Sequence, residues 1–398
     1  MIDMPVLIAG GGPVGLTAAL ALADAGIAVR VFEAGTAIGQ DLRASTFHPP
    51  TLDLLDRYGI TATLLQQGLI CPHWQVRMHP SGERAQFDLS VLRDDTAHPY
   101  RLQCEQWKLS QALLGRLRIH AHAQLEFGAE VTALTQDHAG VRLTVRRADG
   151  EQVVRGAYLI GADGARSVVR KALGIGFAGD TYPEITLLVT TDFAFEDALP
   201  DLSNVTYCWN EGGGNFSLLR VPGRWRVSIY PPEGMDPEDA LAGEAVEAAL
   251  QAIVARDVHY RVMEKRPYRV HQRIASAYRR GRVLLAGDAA HVNSPSGGMG
   301  MNGGVHDALN LADKLARVIR GEPEALLDAY ERQRRPVALE QIIRQADANR
   351  SRMRERDPAK RRAALRDLQA ITGDAQRLRA HLLRTSMIEG LRQAEAIA

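Results

Sequence analysis

Residues 5–33 read PVLIAGGGPVGLTAALALADAGIAVRVFE, and the reading of this stretch decides the fold. Val6, Leu7, Ile8 and Ala9 form a short apolar run, three glycines interrupt it, and Leu16 to Ala25 is rich in alanine and leucine. A second strand is expected over Ala28 to Glu33. Together they make a βαβ unit with Gly10, Gly12 and Gly15 in GxGxxG spacing, around Pro13 and Val14, and with Glu33 closing the second strand. In such a unit the first glycine permits a tight turn, the second lets backbone approach a diphosphate, and the third lets helix and strand pack closely. The diphosphate then faces the unpaired N–H groups of the helix N-terminus, and the Glu33 carboxylate is placed to accept hydrogen bonds from a ribose. The unit predicts dinucleotide binding.

The same stretch could mislead a hydropathy scan, because Pro5 to Ala23 contains no charged residue. Gly10, Gly11, Gly12 and Pro13 would break a membrane-spanning helix at its centre, and neither a basic n-region nor a cleavage site marks a signal peptide. The whole chain has 398 residues, enough for two or three domains. Its 48 Lys+Arg against 47 Asp+Glu are too balanced for a nucleic-acid or anionic-membrane partner. Cys71, Cys104 and Cys208 are odd in number and widely spaced. That pattern argues against a zinc site or a disulfide framework and points to a reducing, cytoplasmic setting.

Two later blocks carry chemistry. Ala157 to Ala162 is an apolar strand running into Asp163, Gly164, Ala165, Arg166 and Ser167, with Ser167 placed to cap a helix ending near Leu173. Arg282 to Ala286 is a strand followed by Gly287, Asp288, Ala289, Ala290 and His291, then by Pro295, Gly297, Gly298, Gly300 and Asn302, with a helix expected over Gly304 to Ile319. In each, a carboxylate follows a strand at the edge where α/β sheets bind ligands. In the second, a glycine-rich loop also offers backbone donors at a helix start. Another GxGxxG match, Gly174, Gly176 and Gly179, lacks a following Ala/Leu helix and reads as a loop leaving the first domain.

These three blocks, in this order, resemble the p-hydroxybenzoate-hydroxylase-like family of single-component FAD-dependent aromatic monooxygenases, over about residues 5 to 340. The resemblance implies noncovalent FAD, with Gly10 to Gly15 and Glu33 on its ADP half. It also implies Asp163 and Gly164 near the diphosphate and the path of NAD(P)H, and Gly287–Asp288 on the ribityl chain. Gly298, Gly300 and the amides around Met301 and Asn302 would lie by the flavin pyrimidine, and Pro295 by the reacting end of the substrate. Arg43 matches the family's arginine near the flavin, and Arg101 and Gln103 match a flavin-contacting block. NAD(P)H would reduce the flavin, O2 would add at its C4a, and the distal oxygen would attack an electron-rich ring. His48, Tyr207 and Tyr230 are candidates to help deprotonate that ring. Tyr207 and Arg220 resemble, in type and spacing, the family's phenol- and carboxylate-binding residues, and Arg226 is a second candidate for a substrate carboxylate. His291 reads as structural. Members often carry Trp-Lys after Asn-Leu-Ala where this chain has Asp313 and Lys314, a difference expected to affect only helix packing.

Between the blocks the pattern changes to period-two strands, Val205 to Asn210, Asn215 to Val221 and Trp225 to Tyr230. Trp225, Val227 and Ile229 would face one side of this roof, and Arg226, Ser228 and Tyr230 the other. The expected architecture is α/β. A Rossmann-like FAD-binding domain (1–72, 100–178 and 271–336) is interleaved with a mainly antiparallel β-sheet substrate domain (73–99 and 179–270), and a C-terminal helical segment (337–398) follows. The last carries nine Arg/Lys between Arg344 and Arg366 against three acids. Its sparse Leu365, Leu368, Leu378 and Leu382, without Trp or Phe, favour a packed face over a membrane-surface helix. The expected partner is a small aromatic molecule, with no nucleic acid or membrane, and a homodimer is compatible with the chain. A halogenase would need a Trp-x-Trp-x-Ile-Pro run, which is absent. A polyprenyl-quinone-type hydroxylase, an epoxidase, or a non-enzymatic FAD-binding protein are the rival readings.

Overall fold

The computed structural model describes residues 4–40, 44–232 and 234–398. Strand β1, Val6–Ala9, is buried at every position, as a central parallel strand with both faces covered requires. Helix α1 follows at once, Pro13–Asp24, with proline in its first turn, where a missing N–H costs nothing. Strand β2, Val29–Glu33, then pairs parallel to β1, with Val6 opposite Val29. The helix is buried on nearly every side because it lies between this sheet and the long helix Met299–Ile319.

The first sheet has six strands, ordered Arg279–Arg280, Val283–Leu285, Tyr158–Gly161, β1, β2 and Ala123–Phe127. All neighbours pair parallel except the short first strand. The strand leading into Asp163 therefore lies beside β1 and the one leading into Asp288 lies next to it, and all three loops leave the same edge of the sheet. That is where an open α/β sheet binds its ligand.

The second sheet has eight strands, mostly antiparallel, from His291–Val292 through Val262–Ala275, Phe177–Thr191, Arg224–Ile229, Phe216–Val221 and Val205–Asn210 to His73–His79 and Arg84–Asp88. The Gly174–Gly179 stretch, expected as a loop, instead enters this sheet, for Gly179 lies inside the strand Phe177–Thr191. It pairs with Arg273 at φ +133°, where a Cβ would stand 2.0 Å from the Gln272 carbonyl oxygen, so glycine is required by close strand contact and not by a turn. Trp225 and Val227 enter the core on one face with Phe195, Leu218 and Leu250, and the alternate residues face the other way. Leu365, Leu368, Leu378 and Leu382 of the C-terminal helices are buried against Trp74, Val76 and Phe87, which makes these helices part of the roof. No helix among the described residues is long and apolar enough to cross a membrane.

One ion pair joins the two sheets' connecting elements. Asp307, on the helix Met299–Ile319, has no exposed surface. Its Oδ2 accepts from His291 Nε2 at 2.7 Å and from the Gly287 amide at 3.2 Å, and its Oδ1 accepts from Arg334 Nε at 2.7 Å. Burial opposes ionisation, but His291 and Arg334 outweigh it and hold the carboxyl at about 2. Lys314 is buried and donates to Asn310 Oδ1, while its neighbour Asp313 is exposed on the outer face of the helix.

Asp307→Ala leaves the Arg334 guanidinium buried without its carboxylate and lowers stability by about 3–5 kcal/mol, read from the urea midpoint at unchanged slope. The folded carboxyl titrates near 2 and the unfolded one near about 3.9, so the stabilisation is full above about pH 4 and is lost as pH falls toward the folded value. Asp307→Asn therefore removes that limb of the stability–pH curve. An Asn variant that keeps the wild-type acid limb would contradict the assignment.

Candidate active site

The three loops enclose a cavity of about 980 Å³, at the upper limit of the roughly 300–1,000 Å³ usual for small-molecule sites. Gly10, Gly12, Pro13, Val14 and Glu33 line one end, and Asp163, Gly164 and Asp288 line its middle. Pro295, Gly297, Gly298, Gly300 and Met301 line the far end beneath Tyr207, Arg226, Tyr230 and Tyr268. Two helices thus point their first turns into one cavity, Pro13–Asp24 and Met299–Ile319, bringing unpaired N–H groups and the positive ends of two dipoles.

The glycines divide into two kinds. Gly10 has φ +101°, with a Cβ position 2.3 Å from the Ala162 carbonyl oxygen, and Gly15 would place a Cβ 2.0 Å from the Gly10 oxygen. Both are needed for backbone to meet backbone. Gly12 has ordinary extended geometry, and nothing lies within 4 Å of its Cβ position, so the space beside it is cavity. Gly287, at φ +61°, would strike Val14 and is a packing contact beneath the cavity floor. Glu33 is braced from below, its oxygens accepting from the Gly11 amide at 2.7 Å and the Gly35 amide at 2.8 Å. Each oxygen keeps a second lone pair for a ligand hydroxyl. Asp163 Oδ2 accepts from the Val169 amide at 3.1 Å, while its buried Oδ1 has no partner.

These features fit a flavin dinucleotide. Helix-end N–H groups and an unfilled glycine cradle suit a diphosphate, carboxylate oxygens suit sugar hydroxyls, and the glycine-rich floor admits a flat ring. The volume leaves room for a second, smaller ring.

Several residues expected at the site serve it from behind. His48 is fully buried and absent from the cavity wall. Its Nε2 donates to the Gly297 carbonyl at 2.8 Å, and burial, with Arg101 nearby, pushes the imidazole down to about 3. It is a neutral brace on the glycine loop, which removes it as a candidate base for the ring. Asn302 takes the same part with its side chain, accepting from the His48 amide at 3.0 Å and donating to the carbonyls of Thr46 at 2.8 Å and Gly298 at 2.6 Å. Gln103 is buried on Ser45 and Thr46, at 3.2 and 2.8 Å. Arg101 faces a separate small cavity beyond Tyr207. Arg220 is paired with Glu196 at 2.6 Å beside Trp225, away from the cavity. Arg43 lies outside the described residues.

On the roof, Arg226, Ser228 and Tyr230 face the cavity, as strand alternation predicts. Burial pushes the Tyr230 phenol up to about 12 and raises Tyr268 further, so both are protonated donors at neutral pH. Burial lowers the Arg226 guanidinium to about 10, which still leaves it charged. Sequence reasoning missed Tyr268, which lies on an irregular strand with no motif, and Asp307, whose signal was an acidic residue on an otherwise apolar helix face.

Comparison with known proteins agrees with this geometry. Residues 3–346 match the family described as FAD binding domain. The chain is 37% identical over 361 residues to para-nitrophenol 4-monooxygenase of a Pseudomonas species, covering 89% of each chain. It is 34% identical to 6-hydroxy-3-succinoylpyridine 3-monooxygenase of Pseudomonas putida, covering 86% of this chain and 87% of that one. The crystal structure of p-nitrophenol 4-monooxygenase from Pseudomonas putida superposes with a TM-score of 0.90 at 33% identity, covering 98% of both chains. Aklavinone-11 hydroxylase, solved with FAD and aklavinone, superposes with a TM-score of 0.78 at 30% identity, over 87% of this chain and 68% of that one. A large cavity at the ends of three parallel strands, its two helix N-termini and these relatives lead to one assignment: the chain belongs to the FAD-dependent aromatic monooxygenases of the p-hydroxybenzoate-hydroxylase-like family.

Proposed function

We propose that the chain hydroxylates a single-ring phenol or hydroxypyridine at the expense of NAD(P)H and O2, in the cytoplasm. The observation that carries this reading is the chamber between the glycine-rich floor at Pro295–Met301 and the roof face Arg226, Ser228, Tyr230 and Tyr268, which joins the dinucleotide cavity without a partition. Bound FAD supplies the activation of dioxygen, chemistry that no side chain provides. Gly10, Gly12, Pro13, Val14 and Gly15 with Glu33 would hold its ADP half, Asp163 and Gly164 its diphosphate, Asp288 its ribityl chain, and Gly298, Gly300 and Met301 its ring system. Three unpaired, buried cysteines agree with a reducing setting.

The remaining work falls to this chain's own groups. The roof excludes water from the chamber and fixes the ring above the floor. Tyr230 and Tyr268 keep their protons, so they orient the ring by donating hydrogen bonds. Among the described residues, the carboxylates and imidazole that line the cavity are those of Glu33, Glu130, Asp163, Asp288 and His271, and none of them belongs to the roof face or the glycine-rich floor that would supply a base to the ring. Arg226 takes that part electrostatically. Its buried charge lowers the pKa of a bound phenol, so the ring enters reaction as its more nucleophilic anion.

The overall reading is tested with a panel of phenols, anilines and hydroxypyridines, following NAD(P)H consumption and the mass of product formed under labelled dioxygen. One label atom per product molecule is expected. Gly12→Asp gives an N-cap residue at least as good as glycine, so the apoprotein melts at or above wild type. The carboxylate nevertheless enters the diphosphate cradle, and the purified protein loses its flavin absorbance. Arg226→Met lowers turnover of a phenol by at least about tenfold at neutral pH and shifts the rise of kcat to higher pH, toward the phenol's free pKa. An unshifted profile would remove the electrostatic role.

A further inference from the structure

Beyond Tyr207 the ring chamber adjoins a second, small cavity of about 20 Å³, room for one water-sized group. Tyr207 and Gly297 belong to both walls, so this space lies at the end of the chamber. The rest of its lining includes Trp74, Arg101, Arg352 and His381.

The polar atoms here do not match. Arg101 Nε, Trp74 Nε1 and His381 Nε2 are all buried without a hydrogen-bond partner. Arg101 is 3% exposed, has its guanidinium carbon 4.9 Å from the centre of the Trp74 ring and sits beside the Tyr207 hydroxyl. Neither Arg101 nor Arg352 takes part in an ion pair among the described residues. Desolvation, with Arg352, Arg384 and Arg101 close by, pushes His381 down to about 4, so the charge rests on the guanidiniums. Cys71 and Tyr207 are the acidic groups nearest Arg101, and burial pushes that thiol up to about 11, leaving it uncharged. One buried and one half-buried cation, with three orphan nitrogens, therefore converge on a space for one atom, and no carboxylate among the described residues answers them. A buried charge without a counter-charge is costly, and what is missing is an acceptor.

We infer that this cavity receives an acceptor-only oxygen substituent of the aromatic substrate, a carboxylate or nitro oxygen, held by Arg101 and Arg352. The inference rests on the hydroxylase reading and narrows it. Arg101 and Arg352 become specificity residues, and Trp74, stacked on Phe87 at 3.9 Å, gives Arg101 its platform. A ring so anchored would lie between Tyr207 and the Pro295–Gly297 floor.

The test titrates the FAD-loaded protein with 4-hydroxybenzoate, 4-nitrophenol and 4-methylphenol, reading flavin absorbance, in wild type, Arg101→Met and Arg352→Met. Sodium bromide serves as the free-anion arm. Wild type should bind at least one of the two oxygen-bearing rings at least about tenfold more tightly than 4-methylphenol. Both Met variants should lose most of that ratio while binding 4-methylphenol within about threefold of wild type. If Arg101→Met fails to retain flavin, Trp74→Phe, which deletes only the Nε1–H donor, reads the same ratio beside Arg352→Met. A ratio unchanged in the variants overturns the inference, as does a wild type that binds none of the three rings or shows no preference. A bromide response that depends on Arg101, without any ring preference, overturns it in favour of a free-anion site. Labelled product from 4-methylphenol shows that the hydroxylase reading survives any of these results.

Discussion

The buried carboxylate of Asp307 is the constraint on which the site depends. It ties the Gly287 amide, His291 and Arg334 to one helix, and so fixes where the loop after the third parallel strand can go. The same helix carries Met301 into the cavity and Asn302 behind it, and Asn302 in turn holds the His48 amide and the Thr46 carbonyl. The floor of the chamber is thus set by a chain of hydrogen bonds that begins at a residue out of reach of any ligand. In so dry a network each ion pair is strong and each lost partner costly, so Asp307, which answers both His291 and Arg334, is the member the others depend on.

Around that network, polar residues of similar type have divided into two tasks. Glu33 and Asp163 each spend one set of lone pairs on backbone amides and keep another toward the cavity. The bonds that His48, Gln103 and Asn302 make with their side chains go to neighbouring loops. Arg226 and Arg220 lie on adjacent strands of one sheet, yet one faces the chamber and the other is neutralised by Glu196 on the outer side. The difference is one of strand parity and strand end, not of residue chemistry.

This division explains what could be read from the chain alone. The βαβ unit was legible because strand period, helical propensity and glycine spacing agree over one short stretch, and the roof faces were legible from alternation at Trp225 to Tyr230. His48 was not, since a histidine before a proline looks the same whether its ring meets a ligand or a carbonyl. Arg101 and Arg220 were misplaced for a similar reason: nothing local to either reveals that Glu196 stands beside one and no acid beside the other. The stretch Gly174 to Gly179 read as a loop because close strand contact and a loop ask for the same residue.

The packing of the roof has a consequence for the order of assembly. Trp74, Val76 and Phe87 complete their core only with Leu365, Leu368, Leu378 and Leu382. During synthesis the first βαβ unit can close on its own local contacts, but the wall that carries Trp74 waits until almost the whole chain has left the ribosome. Until then an apolar surface built around two stacked aromatic rings stays uncovered. The wall around Trp74 is therefore among the last parts of the chamber to be covered, and its stacked rings are an exposed apolar surface in the nascent chain until then.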